Sequence, residues 1–374
     1  MKLFRVFVAV ALVFLLMSPM NAAADEMYKS EDFGVGDIVN VLPDDVRERL
    51  PRGDVFDGEH FSEKFSADYF FSLIQSAFGA AFSPALKTLC ALLGLLIVSS
   101  VLSSLRKTLH DDSLSGVFEM VSVLCIMLTL YRVVSSLCNA VSIYLSQLKN
   151  IVGAMVPVTI AIGSAGGNIS ASAVSGSAMM LGLAFVEFIA SSGLYPILQI
   201  CFGFSVASGI GRGFELGALT KLIRGTFVWV LGFVSAVISA VMTFQTSIAA
   251  RADSLSMRAI KFAASKTVPV VGGIASDAVA TVAQSLSLVK GTVGWVGVII
   301  IIVMTLPVIA NVILTRLGVL ISQTAAEILG LEREGKVLGE MVGLLGFLVA
   351  VCVIAALMFI YALAIFAQSS TALV

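Results

Sequence analysis

The sequence predicts an all-α polytopic membrane protein of about seven or eight transmembrane helices, preceded by a small exported helical module. Three observations carry this. Residues 84–374 are almost continuous apolar sequence with short polar breaks, and about 20 apolar residues suffice to cross a bilayer core of roughly 30 Å. Hydrophobic residues make up 58% of the chain and charged residues 13%, against about 45–50% and about 25% in soluble chains. The charges are also unevenly placed. Thirteen acidic and five basic residues fall between Asp25 and Asp68, which leaves a mildly basic remainder, as the cationic loops of a membrane domain require. A net charge of −1 without a basic face argues against a nucleic-acid partner.

In chain order, Lys2 and Arg5, the apolar run Val6–Met17 and the small residues Ala22-Ala23-Ala24 have the form of a signal peptide over residues 1–24. An uncleaved anchor is the alternative, and either form exports the acidic segment after it. Residues 25–84 form the exported acidic module. Asp37–Leu50 carries a helical apolar pattern broken by Pro43. Phe56, Phe61, Phe65, Tyr69 and Phe70 predict an amphipathic helix entering the first span. Its aromatic face serves as a collar in the membrane interface or as a docking surface.

Residues 85–374 form the helical membrane domain. The first span, Thr88–Leu105, ends at Arg106-Lys107, a pair that fits a cytoplasmic end. Val117–Leu137 comes next, then a more amphipathic helix over Val133–Lys149. Ile151–Ile162 contains Pro157 and runs into Gly163, Gly166 and Gly167, so it reads as a broken or re-entrant element as easily as a span. Ala173–Ala190 and Tyr195–Ile210 are the next two apolar segments, and Arg212, Lys221 and Arg224 read as a cationic loop. Thr226–Ala249 is a clear span. The basic stretch with Arg251, Arg258, Lys261 and Lys266 reads as a helix on the membrane surface. Val268–Leu288 holds Pro269, Gly272, Gly273 and Asp277 and is a second broken element. Val293–Val308, Ile313–Leu329 and Val342–Phe366 complete the domain.

The order of segments around the two broken elements points to an internal duplication. Met155-Val-Pro-Val158 recurs as Thr267-Val-Pro-Val270, and Ala140, Ser142, Lys149, Ile162 and Ser164 recur at the same offset as Ala252, Ser254, Lys261, Ile274 and Ser276. This suggests repeats over residues 117–228 and 229–340, inverted if the Val-Pro-Val elements are re-entrant and parallel if they span. Paired interrupted helices in duplicated halves point to a site between repeats; the other reading is a pair of packing kinks.

Glu187 lies among apolar residues on both sides, where a lone carboxylate is costly. Arg132, Lys149 and Arg212 are its candidate partners. A structural ion pair is favoured over an ion or proton relay. Gly291, Gly294 and Gly297 stand three apart and form a helix-packing stripe, with no strand or acidic ribose ligand around them to make a dinucleotide site. The five cysteines and two histidines have no disulfide or metal-ligand spacing. No catalytic, cofactor-binding or metal-binding residues are assigned, so no enzyme activity is expected.

Arg258-Ala-Ile-Lys261-Phe-Ala, Val268-Pro-Val-Val-Gly272, Asp277 and Lys290-Gly-Thr-Val-Gly-Trp-Val-Gly297, with the Pro157 segment and Gly166-Gly167, give the chain its character. In these residues it resembles the stage III sporulation protein AE family of endospore-forming bacteria. The resemblance implies a multi-pass protein of the mother-cell membrane facing the forespore, a subunit of a secretion-like channel complex with other integral membrane subunits. It leaves room for a homo-oligomer. The alternative function is a stand-alone secondary transporter using the broken helices and Glu187.

Overall fold

The computed structural model of the chain describes residues 33–51, 65–109, 112–189, 193–210, 216–267 and 272–368. The expected signal peptide, much of the acidic module and Pro269 lie outside the described residues, as does the side chain of Asp277. Every regular element among the described residues is a helix.

Two short helices come first. α1 is Val35–Val41 and α2 is Asp44–Arg47, separated by Leu42-Pro43. Pro43 cannot continue α1, but its carbonyl accepts bonds from Val46 and Arg47 and so starts α2. Val35, Ile38, Leu42, Val46 and Leu50 are buried, and these helices pack on two of the longer ones.

The long helices are α3 (Ala67–Leu109), α4 (Asp112–Ala165), α5 (Ile169–Phe188), α6 (Leu194–Ile210), α7 (Gly217–Thr267), α8 (Gly272–Ile328) and α9 (Glu332–Gln368). Six of them, all but α6, are long and apolar enough to cross a membrane, and Leu194–Ser208 in α6 is a shorter apolar stretch. Stretches that read separately in the sequence are fused here. Val117–Leu137, Val133–Lys149 and Ile151–Ile162 are one helix, α4. Thr226–Ala249 and the start of the basic stretch share α7. The second small-residue element joins Val293–Val308 and Ile313–Leu329 in α8. Charged residues do not stop a helix, and long polar side chains are good helix formers.

Proline does not stop these helices either. Pro157 sits inside α4 and Pro307 inside α8. The expected break at Pro157 therefore falls eight residues later. Gly153 stands four residues before Pro157, at the carbonyl a proline ring crowds, so the chain has room to bend there. The real terminators are left-handed glycines. Gly167 has φ 79° and Gly330 φ 71°. At the first, the Gly167 N–H bonds to the Ser164 carbonyl at 3.1 Å and the Asn168 N–H to Gly163 at 2.9 Å. At the second, Gly330 and Leu331 bond in the same pattern to Glu327 and Ala326 at 3.1 and 2.9 Å. Both ends use the paired bonds by which a left-handed residue closes the last turn of a helix.

The α8–α9 hairpin is the centre. In their apolar stretches 78% and 83% of residues are buried, against 22% for α3 and 17% for α7. Helices α3, α4, α5, α6 and α7 pack around this hairpin. α3 and α4 are an antiparallel pair, registered by the contact between the hydroxyls of Ser99 and Ser122. α5 runs back along α4, registered by Gly163 against Ser172 at one end and Lys149 against Glu187 at the other.

Candidate functional site

The α4–α5 turn brings the first interrupted element to the interior. Helix α5 is 20 residues, about 30 Å, so it fits one bilayer core. Its first N–H groups need acceptors, and its own N-cap residue, Asn168, supplies no side-chain cap. The acceptor comes from another helix. Asp253 of α7, itself buried, receives the Ser170 N–H at 3.2 Å and the Ala171 N–H at 2.9 Å. A carboxylate across two first-turn N–H groups also offsets the positive end of the helix dipole.

Beside this cap lies a small cavity bordered by Gly163, Ser172, Ser175, Thr246, Lys290 and Phe366, with Asn168 and Ala171 at its edge. The Lys290 ammonium is 5.3 Å from the centre of the Phe366 ring, a cation–π distance. Gly163 lets α4 and α5 meet, because a Cβ there would lie 2.6 Å from Ser172 Cβ. The Ser164 and Ser172 hydroxyls are 3.1 Å apart.

A second polar cluster joins α7 to α9. Arg224, buried on α7, donates from Nη2 to Glu340 Oε2 at 2.9 Å and from Nη1 to the Glu340 carbonyl at 2.6 Å. The Thr220 hydroxyl donates to the same carboxylate at 2.6 Å. Gly343 makes the space, since a Cβ there would be 2.7 Å from Arg224 Nη1. At a third place, the Ser122 hydroxyl donates to the buried Glu334 carboxylate at 2.8 Å and also meets Ser99. This ties α3 and α4 to the start of α9.

Of the candidate partners of Glu187, the structure pairs it with Lys149, on a part-exposed face between α4 and α5. Glu187 is one residue from the end of α5. Pro157 itself is exposed, between the buried Val156 and Val158. Gly163, Gly166 and Gly167 form the α4–α5 turn, and Gly272 and Gly273 open α8. The three glycines of the stripe differ. A Cβ at Gly294 would be 2.6 Å from Ala367 Cβ and 3.2 Å from its backbone nitrogen, and one at Gly297 would be 2.9 Å from Leu363. Gly291 has nothing within 4 Å of that position. The cavity thus joins Gly163 of the first interrupted element to Lys290 at the head of the stripe.

Asp253, Ser175 and Thr246 are not evident from sequence alone, and Arg224 reads there as a loop residue. Thr220 and Arg224 are four apart, on one helix face, which is the signal that would have moved Arg224 out of the loop. These arrangements hold helices together; they place no nucleophile against a base. No group of three or more His, Cys, Asp or Glu side chains gathers among the described residues.

The model of the family described as stage III sporulation protein AE matches residues 56–370. The chain belongs to the stage III sporulation protein AE family. That match takes in every helix from α3 to α9. A stage III sporulation protein AE of Bacillus subtilis (strain 168) is 25% identical over 218 residues, covering 58% of this chain and 54% of that protein. The chain thus spans about half the length of that curated relative. No solved structure matches. Family and fold together make this a sporulation protein of multi-pass, membrane-type helical architecture.

Proposed function

We propose that the chain is a non-enzymatic integral membrane subunit of a sporulation channel or secretion-like complex linking mother cell and forespore, acting by assembly with other membrane subunits. The observation that carries this is the length of α4 and the position of its charges. Its 54 residues reach about 81 Å, far beyond a bilayer of about 40–45 Å with headgroups. Arg132 is exposed on it and Lys149 is part-exposed in its pair with Glu187, and they divide it into stretches of roughly 25 Å. Exposed cations belong at or outside the headgroup level, not in hydrocarbon. One bilayer therefore covers only part of α4. Yet large apolar side chains are exposed on both sides of Arg132, between Val117 and Ile143, among them Val121, Leu128 and Ile143. Neighbouring protein subunits are the natural cover for the remainder.

The sequence alternative, a stand-alone transporter, needs Glu187 on a path through the membrane. Its pairing with Lys149 at the end of α5 favours a structural role instead. By this reading the mother-cell membrane is the location and the acidic module lies outside the cytoplasm. The experiment is native mass measurement of the solubilised, tagged chain from sporulating cells, with identification of what co-purifies. A stable complex with other integral membrane proteins is the expected outcome. A lone monomer that moves a solute in proteoliposomes would replace this proposal by the transporter.

A further inference from the structure

We infer that the cavity between α4, α5, α7 and α8 binds one structural water, held by the hydroxyls of Ser175 and Thr246 beside Lys290. Ser175 is 4% exposed and Thr246 5%. Neither hydroxyl oxygen has a hydrogen-bond partner among the described residues, and both line the same cavity. Buried polar groups in folded proteins are paired with protein or with ordered water. Two unpaired hydroxyls facing one space therefore point to a shared partner.

The space has the right size. The volume open to the centre of a water-sized body is about 10 Å³, close to the minimum for a single water. A bound water also needs two to four polar partners. The two hydroxyls already supply two, and Asn168 and Lys290 border the same space. The Phe366 ring and Ala171 border it with apolar surface. The water would join α5 to α7 one turn along α5 and two turns along α7 from the Asp253 cap, making a second polar link between the same two helices.

The test is thermal unfolding of the full-length chain in detergent, for Ser175→Ala, Thr246→Val and the double variant. If the water is present, each single change strands it and lowers Tm by about 1–3 °C. The double variant then falls little below the worse single one, because both remove the same link. Singles that leave Tm unchanged or raise it mean a dry cavity and overturn the inference. Fully additive losses mean separate partners and overturn it too. A wild-type Tm that shifts when chloride is replaced by gluconate, with the shift absent in both variants, assigns the space to an anion instead. Should the variants fail to accumulate, a wild-type density map that resolves ordered waters elsewhere decides. One peak about 2.6–3.2 Å from both hydroxyls is expected, and its absence ends the idea.

Discussion

Asp253 is the residue on which the α4–α5 turn depends. It accepts two N–H groups of α5 from a different helix, so it caps and cross-links at once. Asp253→Ala should cost about 1–2 kcal/mol, the usual range for losing an N-terminal cap. Asp253→Asn keeps one oxygen acceptor but loses the charge and should cost less. Chemical or thermal unfolding of the purified chain measures both, and equal losses would show that the charge contributes nothing. Arg224 makes the opposite kind of contact, a buried guanidinium that donates twice to Glu340 and once to the Thr220 carbonyl, in the space left by Gly343. Breaking such a pair leaves a buried charge unmatched, which is why its loss is dearer than its presence is stabilising.

Among elements, glycine placement decides what packs where. On α8, Gly294 and Gly297 receive Ala367, Leu363 and Met155, all apolar neighbours. On α9, Gly339, Gly343 and Gly346 face the polar ends of Gln323, Arg224 and Arg316 instead. Gly294→Leu should therefore sharply lower the yield of monodisperse protein, since the contact includes Ala367 backbone that cannot move aside. Gly291→Ala, with open space at its Cβ position, should be tolerated. Fluorescence-detected size exclusion separates the two, and equal yields would remove the packing role. Much of this level was legible in the sequence. Apolar runs located the helices, and the three-residue spacing singled out Gly294 and Gly297, which have close neighbours, together with Gly291, which has none. The joins are less legible: the sequence marks Pro157 and the glycines after it together as one break, and nothing in the pattern shows that the turn falls at Gly167 rather than at the proline. Pro157 is absorbed within α4, whereas Gly167 and Gly330 reverse the chain. Nor could the local pattern reveal Asp253. Its neighbours Ala252 and Ser254 take part in the internal match, but the position equivalent to Asp253 is Val141.

For the whole molecule, the central α8–α9 hairpin is enclosed by protein while α3 and α7 present apolar faces outward. Orientation comes from charge. Arg106-Lys107 closes the first hairpin between α3 and α4, and cationic short loops stay cytoplasmic. In the proposed topology the acidic stretch before α3 therefore lies on the far side. Single cysteines at Ser62 and Thr108, in a background with the native cysteines replaced, test this with an impermeant thiol reagent on intact cells. Ser62→Cys should label and Thr108→Cys should not; the reverse pattern would invert the whole arrangement.

The distance along the chain between a helix end and its cap has a consequence in time. Ser170 and Asp253 are 83 residues apart, and a ribosome adds about 5–20 residues each second. For roughly 4–17 seconds, then, α5 exists on the growing chain while the carboxylate that completes it is still unmade. In that interval only water or lipid headgroups can satisfy those two N–H groups. The α4–α5 turn must therefore wait at an aqueous surface and take its final place only once α7 has been delivered, so the order of synthesis sets the order of assembly.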